Sequence, residues 1–222
     1  MGLRVDPVID LAAEPAQEPV EPPINFLRAV VPATERLTKR VFLVIDVSGS
    51  MRGDPLGKAL RATACLLSSP VDDFEVAIIA FNDQAHRWPG VPEPDDYRPV
   101  PPGWARLPSA EALESANAWL AGFSGSGSTR PCDALAEALR EQRKDMSVLL
   151  VTDGLFDGGQ DESVSVFEEG QTRRARGSVG RAVFVVYGVG QDTAGRAHLA
   201  HFGREGGGGF FVDSNQKPKV FR

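Results

Sequence analysis

The sequence predicts an α/β fold: a doubly wound, mostly parallel, Rossmann-like sheet with one antiparallel edge strand and helices on both faces. Two observations support this prediction. Continuous apolar runs such as "VFLVID" at 41–46 and "SVLLVTDG" at 147–154 alternate along the chain with amphipathic segments. Such runs are typical of parallel strands, because both faces of a parallel sheet are covered. Both of these strands also reach an aspartate near their carboxyl ends, where sheets of this kind bind ligands.

The regular part of the chain begins with the strand at 41–46, which runs into a glycine-containing turn. A helix is predicted at 54–69, and Pro55 suits its first turn. Apolar residues recur along this segment at helical spacing, which predicts one buried face: Leu56, Leu60, Ala64 and Leu67.

The second strand is predicted at 74–83, and residues 84–88 are expected to pair back along it as an antiparallel hairpin. This hairpin would supply the antiparallel edge of the sheet. Residues 89–108 contain seven prolines and little periodicity, which predicts a long exposed loop. The segment that follows, 109–123, carries an amphipathic face and is predicted to be a helix.

The second half of the chain continues the alternation of helices and strands. A Gly/Ser-rich loop, "SGSGST" at 124–129, precedes a helix predicted at 131–144. Further helices are predicted at 162–176 and 194–204, and strands at 147–154, 181–190 and 207–214. We expect one domain over residues 39–216, between a poorly structured Pro/Glu-rich arm at 1–38 and a short tail at 217–222.

Composition limits the classes of partner. The formal net charge of -6 argues against the basic surface that nucleic acid or an anionic membrane would require. The basic run "QTRRARGSVGR" at 171–181 is predicted to be the solvated end of a helix and its following loop. Because no apolar run approaches the ~18 residues of a membrane span and the N-terminus lacks a signal peptide's apolar core, we expect a cytoplasmic protein. We also expect it to be a monomer.

The cysteine content gives the same expectation about the compartment. Cys65 and Cys132 are the two cysteines of the chain, and both lie in segments that read as helix. Two cysteines in 222 residues do not make a disulfide framework. We therefore expect free, buried thiols in a reducing environment.

Oxygen-bearing side chains cluster at the ends of the predicted strands. Asp46, Ser48 and Ser50 follow one strand, Thr129 ends the Gly/Ser-rich loop, and Asp153 follows another strand. All five are hard oxygen donors, a set that suits Mg²⁺, Mn²⁺ or Ca²⁺ rather than zinc. Two carboxylates and three hydroxyls also leave room in the coordination shell for waters and for an outside ligand.

The order of these motifs resembles a known family. "DVSGSM", a threonine after a Gly/Ser-rich loop, and "TDG" at a strand end are together similar to the von Willebrand factor type A domain. In that family Asp-x-Ser-x-Ser, a distant Thr and a distant Asp form the metal-ion-dependent adhesion site. The resemblance covers about residues 39–214 and includes the order of strands and helices.

The resemblance implies a role for each residue at the site. Ser48 and Ser50 would coordinate the metal directly, Asp46 and Asp153 mainly through waters, and Thr129 directly in a ligand-bound state. The remaining coordination position would accept a carboxylate from an acidic residue of a partner protein. This implies a non-enzymatic, divalent-cation-dependent protein–protein interaction module.

The chain departs from the family pattern after the threonine, where Arg130 stands in place of a small acidic or polar residue. An arginine beside the metal would favour an acidic ligand, or could instead weaken cation binding. The residues at 89–108 also form a longer segment than is usual in the family.

Other interpretations of the same residues stay open at this point. Asp46 and Ser48 could form a side-chain-to-backbone turn, and Thr129 could cap the helix that begins at Pro131. A metal-dependent phosphohydrolase that uses Asp46 is an enzymatic alternative, and a structural module with a vestigial metal site is another. The histidines of the chain are His86, His198 and His201. A serine hydrolase is disfavoured because none of them lies at a strand end, where the base of a catalytic triad would be expected.

Overall fold

A mixed sheet organises the part of the chain that the computed structural model describes, which comprises residues 38–68, 74–90, 102–107, 109–158, 160–190, 195, 197–200, 210–213 and 219–220. Its strands are β1 (Arg40–Asp46), β2 (Phe74–Phe81), β3 (Ala85–Arg87), β4 (Ala105–Leu107), β5 (Met146–Thr152), β6 (Val183–Gly188), β7 (Phe210–Asp213) and β8 (Lys219–Val220). Its helices are α1 (Asp54–Leu67), α2 (Ala110–Leu120), α3 (Cys132–Arg140) and α4 (Gln160–Arg176), and a 3-10 turn spans Gly49–Met51.

The strands within these ranges lie in the order β3-β2-β1-β5-β6-β7-β8, and β4 also pairs with β2. Strands β1, β2, β5, β6 and β7 are parallel to their neighbours in this group. Strands β3, β4 and β8 pair antiparallel, so the predicted hairpin edge is confirmed and two further antiparallel pairs accompany it. Because β1 lies between β2 and β5, the ends of β1 and β5 flank the crevice where strand order reverses, the usual ligand position in such sheets.

Helices cover both faces of the sheet, as predicted. Successive side chains of a strand point to opposite faces, and β1 shows this directly. Val41, Leu43 and Ile45 belong to a buried apolar core with α1 and α2. Phe42 and Val44 belong to a second core with α3 and α4. The doubly wound α/β class is therefore confirmed.

The amino ends of the first two helices follow from local sequence. Pro55 occupies the first turn of α1, where its missing N–H would have no intrahelical partner. The Ser109 hydroxyl caps α2 by accepting a hydrogen bond of 3.2 Å from the backbone N–H of Ala112. Both features favour the start of a helix at these positions.

The prediction of a long exposed loop at 89–108 is wrong for its C-terminal part. Strand β4 pairs antiparallel with the start of β2, with Glu75 opposite Arg106. Trp104 is buried, and its ring packs edge-on against Phe42 at 5.4 Å. The apolar alternation of β4 is only three residues long, so its stability depends on pairing with β2. Residues 91–101 and 108 lie outside the described part of the chain.

The basic run at 171–181 is not wholly solvated, contrary to the prediction. Arg173 is exposed and pairs with Glu169 at 2.7 Å. Arg174, however, is fully buried and donates hydrogen bonds to the backbone carbonyls of Glu141 and Arg143. Burial also lowers the pKa of the Arg174 guanidinium. Arg174 therefore fastens α4 to the connection between α3 and β5.

The ends of the domain are described in part. Two residues of the predicted tail at 217–222 form β8 and join the sheet. The helix predicted at 194–204 is helical at Gly195 and at 197–200, and its other residues lie outside the described chain. The predicted arm at 1–38 also lies outside it, apart from Thr38. None of the helices in the described ranges is both long and apolar enough to cross a bilayer.

The cysteines are described unequally. Cys132 is a free, half-buried thiol at the start of α3, and Cys65 lies in α1. Burial is the main cause that raises the pKa of Cys132. It is thus less buried than predicted, and the side chain of Cys65 lies outside the described residues.

Candidate metal centre

The first loop of the candidate site follows directly from β1. Asp46 is the last residue of that strand, Ser48 comes two residues later, and Ser50 lies in the 3-10 turn. The side chains of Asp46 and Ser48 are 0% exposed, whereas Ser50 is exposed. Ser50 therefore marks the side on which this cluster meets solvent.

A chain of hydroxyl groups joins this loop to a distant one. Thr129 donates its hydroxyl hydrogen to Ser48 Oγ across 2.9 Å, although 81 residues separate them. Ser48 Oγ in turn lies 3.1 Å from Ser50 Oγ. Thr129 is only 3% exposed. The structure thus brings together the three hydroxyls that the sequence pattern singled out.

Backbone hydrogen bonds hold the Thr129 loop against the first loop. Gly49 N donates to Gly127 O at 2.9 Å, and Ser126 N donates to Val47 O at 3.0 Å. Gly127 has a φ of +79°, a backbone conformation that residues with a Cβ rarely adopt. The Gly/Ser-rich composition of this loop therefore allows the close backbone approach that places Thr129.

Asp46 is a buried carboxylate. Its Oδ1 accepts a hydrogen bond of 2.9 Å from Ser48 N, and its Oδ2 accepts one of 2.6 Å from the Thr152 hydroxyl. Burial raises the pKa of Asp46 to about 6; these hydrogen bonds oppose the rise, and the negative charge of Asp153 adds to it. No cationic side chain is among the groups of the described chain that shift this pKa.

Asp153 occupies the loop after β5, beside Asp46. It is 5% exposed, and its Oδ1 accepts a hydrogen bond of 3.0 Å from Leu155 N. The next residue, Gly154, has a φ of +82°, and a Cβ there would lie 2.6 Å from the carbonyl oxygen of Gly195. His198 Nδ1 lies 2.8 Å from the carbonyl oxygen of Gly154. Gly195, His198 and Leu199 therefore pack directly on the loop that carries Asp153.

Three residues near the site were missed by sequence reasoning. Thr152 binds Asp46, His198 contacts the Asp153 loop, and Asp157 exchanges two hydrogen bonds with Thr129. Thr152 and Asp157 lie within "VTDGLFDGG", so their closeness to Asp153 is visible in the sequence. Their partners are not visible, because each contact depends on how separate loops meet.

The two local interpretations, a turn at Asp46 and Ser48 and a helix cap at Thr129, have different outcomes. The side-chain-to-backbone turn exists, since Ser48 N donates to Asp46 Oδ1. The helix cap does not, because α3 has Pro131 at its N-cap without a side-chain hydrogen bond, and the Thr129 hydroxyl binds Ser48 instead. A local turn therefore accounts for part of the first loop and leaves the position of Thr129 unexplained.

The donor set fits a hard divalent cation. Within the described ranges, no group of three or more His, Cys, Asp or Glu side chains is placed to hold a metal ion. A cation beside Asp46 and Asp153 would therefore depend on hydroxyl oxygens for part of its shell. Mg²⁺, Mn²⁺ and Ca²⁺ accept such ligands, and zinc favours nitrogen and sulfur.

A small acidic cavity lies next to the Thr129 loop. It has a volume of about 150 Å³ and is lined by Asp83, Arg130, Cys132, Asp133, Asp157 and Glu162. Arg130, the residue that departs from the family pattern, thus shares a cavity with four carboxylate side chains. Those negative charges partly offset its positive charge beside the candidate site.

Solved structures resemble this fold at low sequence identity. A von Willebrand factor type A structure from Catenulispora acidiphila matches with a TM-score of 0.52 and 18% identity, over 78% of this chain and 38% of the other. An aerotolerance-related membrane protein from Bacteroides fragilis, carrying multiple mutations to serine, matches with a TM-score of 0.53 and 19% identity, over 79% and 92%. This chain spans 38% of the Catenulispora chain. Because the two identities are 18% and 19%, these similarities bear on the fold alone.

Sequence comparison assigns the family. A search of curated proteins finds no significant match to the chain. The family profile described as von Willebrand factor type A domain matches residues 39–210, which is more than half of the chain. These residues run from β1 to β7 and include the three loops described above. The chain therefore belongs to the von Willebrand factor type A domain family.

Proposed function

We propose that this domain binds a partner protein through a divalent cation held by Asp46, Ser48, Ser50, Thr129 and Asp153. Domains of this family often mediate protein–protein interaction. The observation that carries the proposal is the row of hydroxyls from Ser50 through Ser48 to Thr129, which lies beside the buried carboxylate of Asp46. The buried carboxylate of Asp153 interacts electrostatically with Asp46. Burial is the main cause that raises the pKa of Asp46, and the negative charge of Asp153 adds to it. A nearby cation would favour the ionised form and so offset both effects.

The residues divide into two roles in this proposal. The hydroxyl oxygens of Ser48, Ser50 and Thr129 bind the cation directly. Asp46 and Asp153 act mainly through waters, which is the role that the family resemblance implies for them. The cation, as Mg²⁺, Mn²⁺ or Ca²⁺, supplies an open coordination position for a carboxylate oxygen of the partner.

Binding is a better proposal than phosphoester hydrolysis. A nucleophilic carboxylate must reach its substrate, whereas Asp46 is 0% exposed and its two oxygens hold Ser48 N and the Thr152 hydroxyl in place. We therefore expect no turnover of a generic phosphoester. Turnover that Asp46→Asn abolishes would favour the enzymatic alternative.

Calorimetry tests the metal site. We expect Mg²⁺ and Mn²⁺ to bind the wild-type chain, and Asp46→Ala to abolish this binding while circular dichroism shows an intact fold. Asp54→Ala is the matched control, since Asp54 is exposed and pairs with Lys58 on α1. No heat and no thermal shift in the wild-type protein would support the structural module with a vestigial site instead.

An affinity pull-down tests the partner half of the proposal. We expect capture of a partner in Mg²⁺, with loss of that partner in EDTA and with Asp46→Ala. Substituting the partner's acidic residue should have the same effect as substituting Asp46. Equal capture by the Asp46→Ala variant in chelator would remove the cation from the binding mechanism.

A further inference from the structure

We propose that Asp157 is a positioning residue of this site: it fastens the Thr129 loop to the loop after β5 and so sets the Thr129 hydroxyl against Ser48. The inference deepens the proposed function and rests on it. Nothing in the sequence pattern of the five donor residues includes Asp157.

The contact between Asp157 and Thr129 is reciprocal. Thr129 N donates to Asp157 Oδ2 across 2.8 Å, and Asp157 N donates to Thr129 O across 2.9 Å. Both residues lie outside helices and strands. Two hydrogen bonds between the same two residues limit both sliding and rotation of one loop against the other, which a single bond would allow.

The two hydrogen bonds between Thr129 and Asp157, called the clamp below, complete a set of contacts that joins each of the three loops to the other two. The Gly49–Gly127 backbone bond joins the first loop to the Thr129 loop. The hydrogen bond from Thr152 to Asp46 joins the end of β5 to the end of β1. The Thr129–Asp157 pair supplies the third contact of this set.

The side-chain half of the clamp is the part that depends on residue type. The Thr129 N–H needs an acceptor oxygen at this position, which either a carboxylate or an amide side chain of this length can supply. Without it, the Asp157 N–H to Thr129 carbonyl bond would remain between these two residues. Arg130 N also donates to Asn82 O at 2.9 Å and anchors the far side of the loop. We therefore expect Thr129 to be misplaced rather than released when the carboxylate is lost.

Misplacement of a ligand weakens metal binding because the site must then be ordered when the cation binds. Residues that orient metal ligands typically change metal affinity by about 10–100-fold when substituted. Asp157 could instead act only through its charge, since it also lines the acidic cavity. The two roles differ in which substitutions they tolerate.

Three substitutions in the full chain separate these roles. Asp157→Ala removes the acceptor and the charge, Asp157→Asn keeps an acceptor oxygen without the charge, and Asp157→Glu keeps the charge but displaces the oxygen by one methylene. Asp133→Ala is the charge control, because Asp133 lines the same cavity from the first turn of α3. Mn²⁺ affinity is measured by calorimetry, and exchange of the Thr129 amide hydrogen is measured by NMR in EDTA.

A positioning role predicts that Asp157→Ala weakens Mn²⁺ binding about 10–100-fold and speeds exchange of the Thr129 amide. Asp157→Asn should restore most of both properties, Asp157→Glu should restore less, and Asp133→Ala should change neither. If Asp157→Ala does not fold, the comparison of Asp157→Asn with Asp157→Glu still decides, because a charge role reverses their order.

The outcomes for the inference and for the proposed function are distinct. Wild-type protein that fails to bind Mn²⁺ would overturn the proposed function and, with it, a role for Asp157 at a metal site. Wild-type protein that binds Mn²⁺, together with unchanged affinity or unchanged Thr129 exchange in Asp157→Ala, would overturn the positioning role alone. An equal loss of affinity in Asp133→Ala would assign the effect to charge.

Discussion

The Thr152 hydroxyl donates a hydrogen bond of 2.6 Å to Asp46 Oδ2, joining the carboxyl ends of two neighbouring parallel strands. Thr152 Oγ1 also accepts from Gly154 N at 3.0 Å. One hydroxyl thus supports both a buried carboxylate and the loop that carries Asp153. The contact follows from strand register, since Ile45 lies opposite Val151, one residue earlier on each strand.

Removing that hydroxyl should destabilise the domain. Thr152→Val keeps the shape of the side chain but withdraws one hydrogen bond from a buried carboxylate, so we expect a loss of about 1–3 kcal/mol in unfolding free energy near neutral pH. Urea denaturation in EDTA measures this loss. Thr63→Val is the control: the buried Thr63 hydroxyl donates to Ala59 O within α1, and its removal should cost under about 1 kcal/mol. Equal losses in the two variants would contradict a special role for Thr152.

The stability of the metal-free domain should depend on pH through Asp46. Its pKa is about 6 in the folded state, against an ordinary value of 3.8. Protonation of Asp46 therefore stabilises the folded state. This contribution to the unfolding free energy is complete below pH 3.8 and is lost as the pH rises through about 6. A shift of about two pKa units corresponds to about 3 kcal/mol.

Asp46→Asn isolates this effect because asparagine has a similar shape and does not ionise. The unfolding free energies of both proteins in EDTA are compared at about pH 4.5 and about pH 7.5. We expect the difference between them to move in favour of the variant at the higher pH by about 2 kcal/mol, because the contribution of Asp46 is not yet complete at about pH 4.5. A difference that stays constant with pH would show that Asp46 is not the group responsible.

Ser48 should contribute more to metal affinity than Ser50. Ser48 Oγ is the central hydroxyl, in contact with both Ser50 and Thr129, so Ser48→Ala removes one donor and the link between two others. We expect Ser48→Ala to weaken Mg²⁺ binding by at least about tenfold, and Ser50→Ala by less. Isothermal titration calorimetry gives both affinities. Ser68→Ala, which removes an exposed hydroxyl at the end of α1, should leave binding unchanged. The opposite order of the two site variants would contradict the central position of Ser48.

Fold class could be predicted because the strongest signals are local. Continuous apolar runs such as β1 and β5 identify buried parallel strands without knowledge of their neighbours. Strand β4 could not be found this way, because three residues after a proline-rich stretch carry too little pattern. Its stability comes from pairing with β2, a contact between distant segments.

The same distinction applies to the site. The placement of Asp46 and Asp153 at the crevice follows from strand ends, and the approach of Thr129 to Ser48 was expected from the motif order. Their role in holding a metal stays a prediction. Asp157 and His198 were missed because their partners are a backbone amide and a backbone carbonyl, which leave no signature in the sequence. Arg174 was misjudged for the same reason, since it binds backbone carbonyls inside the protein.

Substitution of Arg174 should affect stability far more than substitution of its sequence neighbour Arg173. The buried guanidinium of Arg174 donates to two backbone carbonyls, so Arg174→Met should remove both hydrogen bonds and cost about 2–4 kcal/mol of unfolding free energy. Arg173→Met should cost under about 1 kcal/mol, because that arginine is exposed and its ion pair with Glu169 is screened by water. Similar urea midpoints for the two variants would contradict the buried role of Arg174.

Gly154 should be intolerant of a side chain because Gly195 and Leu199 pack against it. A Cβ at Gly154 would lie 2.6 Å from Gly195 O and 2.7 Å from Leu199 Cγ, in addition to the strain of a φ of +82°. Gly180 has a similar φ of +78° but has nothing within 4 Å of such a Cβ. Gly180→Ala should therefore lose about 1 kcal/mol from backbone strain alone, and Gly154→Ala should lose about 1–3 kcal/mol more from the clash.

The thermal midpoints of the two glycine variants measure this difference. Amide exchange at residues 197–200 gives a second measurement, which should rise in Gly154→Ala and stay unchanged in Gly180→Ala. Because His198 Nδ1 lies 2.8 Å from the Gly154 carbonyl, displacement of this segment should also disturb the loop that carries Asp153. Equal stability of the two variants, with no change of exchange at 197–200, would mean that this segment does not rest on the Asp153 loop in solution.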